Sequence, residues 1–251
     1  CPRGAPATAV GGALAAIGLS GPRPVLILVG GAASLDAGVA ARLLPLFAGL
    51  VPLLDRLGAA VIDGGTPFGV MALMGAARQG AAGGFPLIGI APRGRVAAPA
   101  GISPSGQGGF TGSAPRPDGG AIEPRVTLDP HHSHFLLVPG ERWGDESPWL
   151  TAAAECLADG RGTLMLVAGG GEVTRWDVLH RLRQRGRVLA LAGSGGTADA
   201  LAAWCRGGQS PPLAGLTGAD RAHIQVLELT AAGDRLPRLV ARALATRKRE
   251  Q

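Results

Sequence analysis

Four short apolar runs each end in a glycine cluster that opens a helical segment, and this recurrence limits the fold more than any other feature. Residues 25–29 run into Gly30-Gly31, and 59–62 pass through Asp63 into Gly64-Gly65-Thr66. Residues 163–167 run into Gly169-Gly170-Gly171, and 188–191 into Gly193-Ser-Gly-Gly196. Short unbroken apolar runs mark strands buried on both faces, which belong to parallel sheets covered by helices. Further strands at 87–91, 134–138 and 223–229 alternate with helical spacing at 35–57, 69–79, 147–157, 172–185, 197–204 and 237–247. The alternation predicts an α/β fold, a mainly parallel sheet with helices on both faces. Pro45 and Pro52 predict a kink or split in the first long helix. Ser147 and Pro148 fit the cap and first turn of the helix they open.

Composition narrows the function classes. The 42 Gly and 20 Pro among 251 residues follow no period, so they argue for tight turns and not for a collagen-like repeat. The net charge of +6 comes from arginine, Lys248 being the only lysine, and the run Arg247-Lys248-Arg249 reads as a solvated helix end. With no Tyr, five Phe and four Trp, the chain has few stacking platforms, and nucleic acid is not an expected partner. Cys1, Cys156 and Cys205 lack CxxC spacing and suggest a reducing compartment, the latter two reading as core. No apolar run reaches the roughly 18 residues of a membrane span. The stretch 5–19 behind Arg3 is broken by Gly11, Gly12 and Gly18 and reads as a short helix, not a leader. A soluble, cytoplasmic protein is expected, with residues 1–22 as a tail and short helix and 23–251 as a single domain. A Gly/Pro-rich stretch at about 97–128 has no period and reads as an insertion over one rim. The sequence leaves a homo-oligomer open.

In an open α/β sheet the strand ends lie along one edge, where ligands bind. Glycine allows close backbone approach to a phosphate, and the next helix offers unpaired N–H groups and a positive dipole end. The chain has no Walker Gly-Lys-Ser/Thr and no clean GxGxxG after its first strand, which disfavours P-loop hydrolysis and ordinary dinucleotide dehydrogenases. His131, His132 and His134 lack a third ligand at recognisable spacing, so a structural brace is preferred to a metal site. Glu141, Asp145 and Glu146 follow the fourth strand on the same rim, where they could hold ribose hydroxyls or act as an acid/base, but the last two read best as charges favouring a helix N-terminus. Trp176 reads as helix packing, while Trp143 lies in a loop near the glycine edge.

Several longer segments occur in a fixed order: Val61-Ile-Asp-Gly-Gly-Thr-Pro-Phe-Gly-Val-Met71, Leu87-Ile-Gly-Ile-Ala-Pro-Arg-Gly-Arg-Val96, Leu128-Asp-Pro-His-His-Ser-His-Phe-Leu-Leu-Val138 and Gly193-Ser-Gly-Gly-Thr-Ala-Asp199. Together they resemble the SLOG-type nucleotide-binding domain of melastatin-type TRP channels in its stand-alone prokaryotic form. The resemblance implies a Rossmann-like three-layer fold that binds, and plausibly senses, a diphosphate-containing nucleotide, ADP-ribose-like or NAD-derived. The residues expected against phosphate and ribose are Gly30, Gly31, Gly64, Gly65, Thr66, Gly69, Gly170, Gly171, Thr174, Ser194, Gly195 and Gly196, with Arg93 and Glu172 beside them. The wider superfamily includes lonely-guy-type phosphoribohydrolases, with the signature Pro-Gly-Gly-x-Gly-Thr-x-x-Glu. In the best register Gly170, Gly171 and Thr174 match, Asp177 stands for the glutamate, and Val173 replaces a glycine. The alternative function is therefore an N-glycosidase acting on nucleoside monophosphates or NAD-like substrates, with Glu172 and Asp177 as catalytic candidates. Gly65→Val is expected to block the ligand while sparing the fold, with Gly208→Val as a neutral control.

Overall fold

The computed structural model describes residues 7–32, 35–97 and 125–245. The elements run α1 (Ala7–Ala16), β1 (Val25–Gly30), α2 (Ala37–Arg56), β2 (Ala60–Asp63), α3 (Gly69–Gly80), β3 (Leu87–Pro92) and β4 (His134–Val138). They continue α4 (Ser147–Ala158), β5 (Thr163–Ala168), α5 (Glu172–Arg183), β6 (Val188–Ala192), α6 (Gly196–Cys205), β7 (Ile224–Glu228) and α7 (Arg235–Ala245). All seven strands pair in parallel, in the order β4-β3-β2-β1-β5-β6-β7. Helices cover both faces, giving the expected three-layer, Rossmann-like α/β architecture.

Alternation along the strands feeds two separate cores. Val25, Ile27 and Val29 of β1 meet α1, α4, α5 and α6, whereas Leu26 and Leu28 meet α2, α3 and α7. Burial on both faces is why these strands read as unbroken apolar runs and not as alternating ones. The Gly/Pro-rich insertion falls largely on 98–124, outside the described residues, as do Cys1, Arg3 and the basic run at 247–249. Its flanks are tied together: Ala97 N–H donates to Val126 O at 2.9 Å, and Val126 N–H to Arg95 O at 2.9 Å.

Of the kink or split expected in α2, the split does not occur. The helix runs unbroken through Pro45 and Pro52. Asp36 caps its start, accepting from Val39 N–H at 3.0 Å, and Leu43, Phe47, Leu50 and Leu54 are fully buried along its sheet-facing side. That continuous contact outweighs the two missing N–H donors, as tertiary packing commonly overrides local propensity. α2 is also the one described helix long and apolar enough to cross a membrane, but here it packs between the sheet, α3 and α7.

On the opposite face Arg181 of α5 is buried and locks three elements together. It donates to Glu155 Oε1 of α4 at 2.6 Å and to Thr163 Oγ1 of β5 at 2.6 Å. Removing one partner of a buried charge leaves the other desolvated and unpaired. Glu155→Ala is therefore expected to lower stability by about 2–3 kcal/mol in chemical denaturation. A variant unfolding with the wild-type midpoint would show this ion pair to be dispensable. Cys156 and Cys205 pack half-buried at the margin of the same core.

The strand order creates the site. From β1 the chain winds outward through β2, β3 and β4, then returns across the sheet to β5 on the other side of β1. The loops leaving β1 and β5 consequently part from one another, and a crevice opens at the carboxyl ends of these two strands.

Candidate functional site

A cavity of about 380 Å³ fills that crevice. Its floor and walls are Leu28, Val29, Gly30 and Ala32 from β1 and its exit, Gly64 and Thr66 after β2, and Phe68, Val70 and Met71 at the start of α3. Val126, Trp143, Glu146 and Leu150 close one side, and Val173, Thr174 and Asp177 of α5 the other. The lining is mostly apolar with a few convergent polar groups, the usual make-up of a small-molecule site. Val173, Thr174 and Asp177 reach it together because residues three and four apart share a helix face.

The glycine loops divide into two kinds. Gly30 lies where a Cβ would collide with the Ala168 carbonyl, so it permits close pairing of β1 and β5 as well as lining the cavity. Gly31 N–H donates to Ala168 O at 2.9 Å, and its own carbonyl receives Val70 N–H at 3.0 Å. Gly69, at φ +51°, leaves no room for a Cβ against the Gly31 carbonyl, which draws the start of α3 onto the loop after β1. Gly171 differs: it caps α5 at φ −110° with open space where a Cβ would stand and no side chain to accept the helix's first N–H groups. Gly170 stands next to it at φ +104°.

Gly65 does not face the cavity. Its N–H donates to Asp63 Oδ1 at 2.7 Å, and its carbonyl accepts from Asp129 N–H at 2.9 Å. A Cβ there would stand 2.7 Å from Gly89 Cα and 3.2 Å from Phe135 Cε1, inside the sheet and not in a phosphate's place. The fourth glycine loop is likewise a support. Ser194 Oγ receives Gly169 N–H at 2.8 Å and donates to Leu191 O at 2.5 Å. The first N–H groups of α6 are already occupied: Thr197 donates to Gly170 O at 2.9 Å and Ala198 to Gly169 O at 3.0 Å. Ser194 and Gly196 thus hold the β5–α5 loop in shape from behind, and neither they nor Gly195 line the cavity.

Arg93 is exposed and outside the lining. Glu172 is also exposed and borders a smaller hollow of about 240 Å³ with Arg175, Trp176 and Pro212, so the two acids named as catalytic candidates do not converge. Trp176 is 48% exposed at that hollow and is not helix packing. Thr174 Oγ1 donates to Gly30 O at 3.2 Å, fastening α5 to the end of β1.

Asp177 is the acid of α5 that lines the cavity, and Glu146, expected as a helix-end charge, lines it as well. Both are buried, at 4% exposure each. Glu146 Oε2 accepts from Gly144 N–H at 2.7 Å, while Asp177 Oδ1 is buried with no hydrogen-bond partner. Burial pushes Glu146 up to about 7, its own N–H and that of Gly144 pulling back and Asp145 adding to the rise. Burial also pushes Asp177 up to about 7, with Ser147 pulling back and Glu146 raising it further. Asp145 itself is structural: its Oδ2 accepts from Glu141 N–H at 2.9 Å and Arg142 N–H at 3.0 Å. Trp143 also lines the cavity, with the Arg95 guanidinium 5.5 Å from its ring centre.

The histidines brace the far side of the β2 exit. Buried His132 Nε2 lies 2.7 Å from Asp63 Oδ1, the oxygen that holds Gly65 N–H, and the ring stacks on Phe135 at 5.6 Å. His131 Nδ1 lies 2.8 Å from Asp129 Oδ1. Burial lowers His132, but the charge and hydrogen bond of Asp63, aided by Asp129, outweigh it and leave the imidazole raised. Among the described residues no group of three or more His, Cys, Asp or Glu is placed to hold a metal ion.

A family model described as "SLOG in TRPM, prokaryote" matches residues 23–236. The chain belongs to this family. The match spans every strand from β1 to β7 and all the cavity-lining residues of this SLOG protein. Among solved structures its fold is similar to TM1055, a structural-genomics target, at 16% identity and TM-score 0.53, covering 86% of this chain and 98% of that one. It is also similar to the Moco carrier protein from Chlamydomonas reinhardtii, at 13% identity and TM-score 0.51, covering 88% and 99%. A molybdenum cofactor binding protein from the phototrophic bacterium Rippkaea orientalis matches at 12% identity and TM-score 0.52, again covering 88% and 99%. No curated protein matches the chain.

Proposed function

We propose that this SLOG protein binds a diphosphate-containing nucleotide, ADP-ribose-like or NAD-derived, and acts as a binding or sensing protein. The observation that carries this reading is the bare N-terminus of α5, capped by Gly171 without a side chain, two residues before Val173 of the switch-point cavity. The first N–H groups of a helix have no intrahelical acceptor, and with the dipole they favour an anion. Gly30, Gly64 and Thr66 line the same cavity from the facing strand ends. Two similar structures are named for a molybdenum cofactor, and that this fold holds a cofactor in those proteins supports a small-molecule role here.

The test is calorimetric titration with ADP-ribose, NAD, AMP and ATP, on the wild-type chain and on Gly171→Asp. A carboxylate at that cap would take the helix N–H groups for itself and repel phosphate, while the open space and ordinary φ let the fold accept it. The variant is expected to keep or slightly raise its melting temperature and to bind at least tenfold more weakly. Absence of binding to all four nucleotides up to about 1 mM, where the binding free energy is only about −4 kcal/mol, would sink the proposal.

A further inference from the structure

Both peptide groups of Gly65 are held by the segment 129–132, one directly and one through Asp63. The Gly65 carbonyl accepts from Asp129 N–H at 2.9 Å. The Gly65 N–H donates to Asp63 Oδ1 at 2.7 Å, the same oxygen that His132 Nε2 meets at 2.7 Å. Gly64 and Thr66, on either side of Gly65, line the cavity. Whatever fixes Gly65 therefore fixes two wall residues of the site. Asp63, Asp129 and the His132 ring are all buried. The second ring nitrogen, Nδ1, lies 3.9 Å from Asp129 Oδ2, too far for a hydrogen bond but within reach of an ion pair. Nδ1 has no hydrogen-bond partner, so beyond its one bond to Asp63 the ring is held by charge and by stacking on Phe135.

Each ring nitrogen faces a carboxylate, which suits an imidazolium with N–H on both. A neutral ring can still donate to Asp63, but its Nδ1 lone pair then faces Asp129, and two buried carboxylates are left with no cation between them. The other groups around the ring do not replace that charge. Arg78 of α3 is turned to the carbonyls of Phe85 and His131, His131 Nδ1 meets the other Asp129 oxygen at 2.8 Å, and β4 offers the Phe135 ring. Burial lowers the imidazole, Asp63 and then Asp129 raise it, Arg78 lowers it, and the balance is upward.

We propose that His132 is the positioning residue of the cavity's β2 wall: its imidazolium fastens Asp63 and, through Gly65, the turn that presents Gly64 and Thr66 to the ligand, and loss of that proton loosens the turn. This latch deepens the nucleotide reading and rests on it only for the effect on affinity, since the latch itself needs no ligand. Because the imidazole is raised, the turn is held below the ordinary value of 6.5 and released as pH rises through a higher one.

Amide exchange followed by NMR reads the latch without ligand. After correction for the intrinsic rise with pH, Gly65 N–H is expected to lose protection by about tenfold or more between about pH 6 and about pH 9, while the amides of β1 keep theirs. His132→Gln offers Asp63 a donor but takes no proton, and its profile should be flat. Asp129→Asn keeps an acceptor for His131 N–H without the charge, and should move the wild-type midpoint to lower pH. Calorimetry with ADP-ribose and NAD, whose diphosphates keep their charge over this range, reads the consequence for the site. Wild type should bind about fivefold or more tightly than His132→Gln at about pH 6 and within about twofold of it at about pH 9. Glu146 and Asp177 titrate in both proteins and cancel from that ratio. Melting curves confirm that folded protein is compared. Gly65 protection that tracks β1 at every pH, a profile unchanged in either variant, or an affinity ratio constant with pH overturns the assignment. No binding of either nucleotide, with Gly65 still released as pH rises, would uphold the latch and defeat the reading of an ADP-ribose-like or NAD-derived ligand.

Discussion

Gly65→Val is expected to lose its fold, not merely its ligand. Gly65 adopts φ +67°, a region that a β-branched residue enters only under strain, of about 1–3 kcal/mol. The new Cβ would also stand 2.7 Å from Gly89 Cα, and Gly89 cannot yield because its own missing side chain is what lets β3 lie there against Phe135. Overpacking of this kind adds about 1–3 kcal/mol more. The sum, about 2–6 kcal/mol, is a large part of the stability of an ordinary domain. Denaturant titration should show the loss, with Gly171→Val close to wild type because nothing lies within 4 Å of that Cβ position. Gly208→Val is not a neutral control, since its Cβ would stand 3.0 Å from the Ala203 carbonyl oxygen and from Trp204 Cα. If Gly65→Val melts like wild type, the packing of the β2 exit onto β3 has been misjudged.

Stability is expected to fall as pH rises from about 4 to about 7, the reverse of acid unfolding driven by paired carboxylates. Glu146 and Asp177 have ordinary values of 4.5 and 3.8, and both are raised to about 7 in the fold. Across that interval the folded chain holds protons that the unfolded chain has released. Their contribution is fully present below the ordinary values and is lost as pH passes through about 7. For Asp177 alone the swing is on the order of 4 kcal/mol, and the pair gives less than twice that, because the first ionisation opposes the second. His132, raised above 6.5, adds a loss of the same sign further up the scale. Asp177→Asn isolates the effect: it should be clearly more stable than wild type at about pH 8, and the gain should vanish near pH 4. A difference profile that is flat, or that slopes the other way, would mean that Asp177 is hydrated and ordinary.

The five inner strands β1, β2, β3, β5 and β6 were legible because they are buried on both faces, so no periodicity had to be resolved, only an unbroken apolar run. The edge strands β4 and β7 are partly exposed. The split offered for α2 at Pro45 and Pro52 does not occur because local rules do not register a stripe such as Leu43, Phe47, Leu50 and Leu54 held along a sheet. At the site, glycine marked the correct edge but not the duty of each residue. Gly171 opens into free space, Gly65 opens into β3, and Gly196 opens onto the Gly170 carbonyl, yet all three sit in similar words of the sequence. Asp177 was within reach, sharing a helix face with Val173 and Thr174. Glu146 carried a weaker signal, its place on the rim after the fourth strand: its burial depends on α4 crossing toward the end of β1, which the spacing of 141–147 does not encode.

The hydrogen bond from Thr174 Oγ1 to Gly30 O joins residues 144 positions apart. During synthesis, strands β1 to β4 leave the ribosome well before α5, so the nascent chain holds half a binding site with an open wall. No ligand can chaperone that half. Ligand stabilises the molecule only after β5 has paired with β1 and α5 has docked, because mass action favours only a state that binds. Occupancy would therefore report on a finished chain and protect it from later unfolding, while leaving the early steps of assembly to the apolar strands alone.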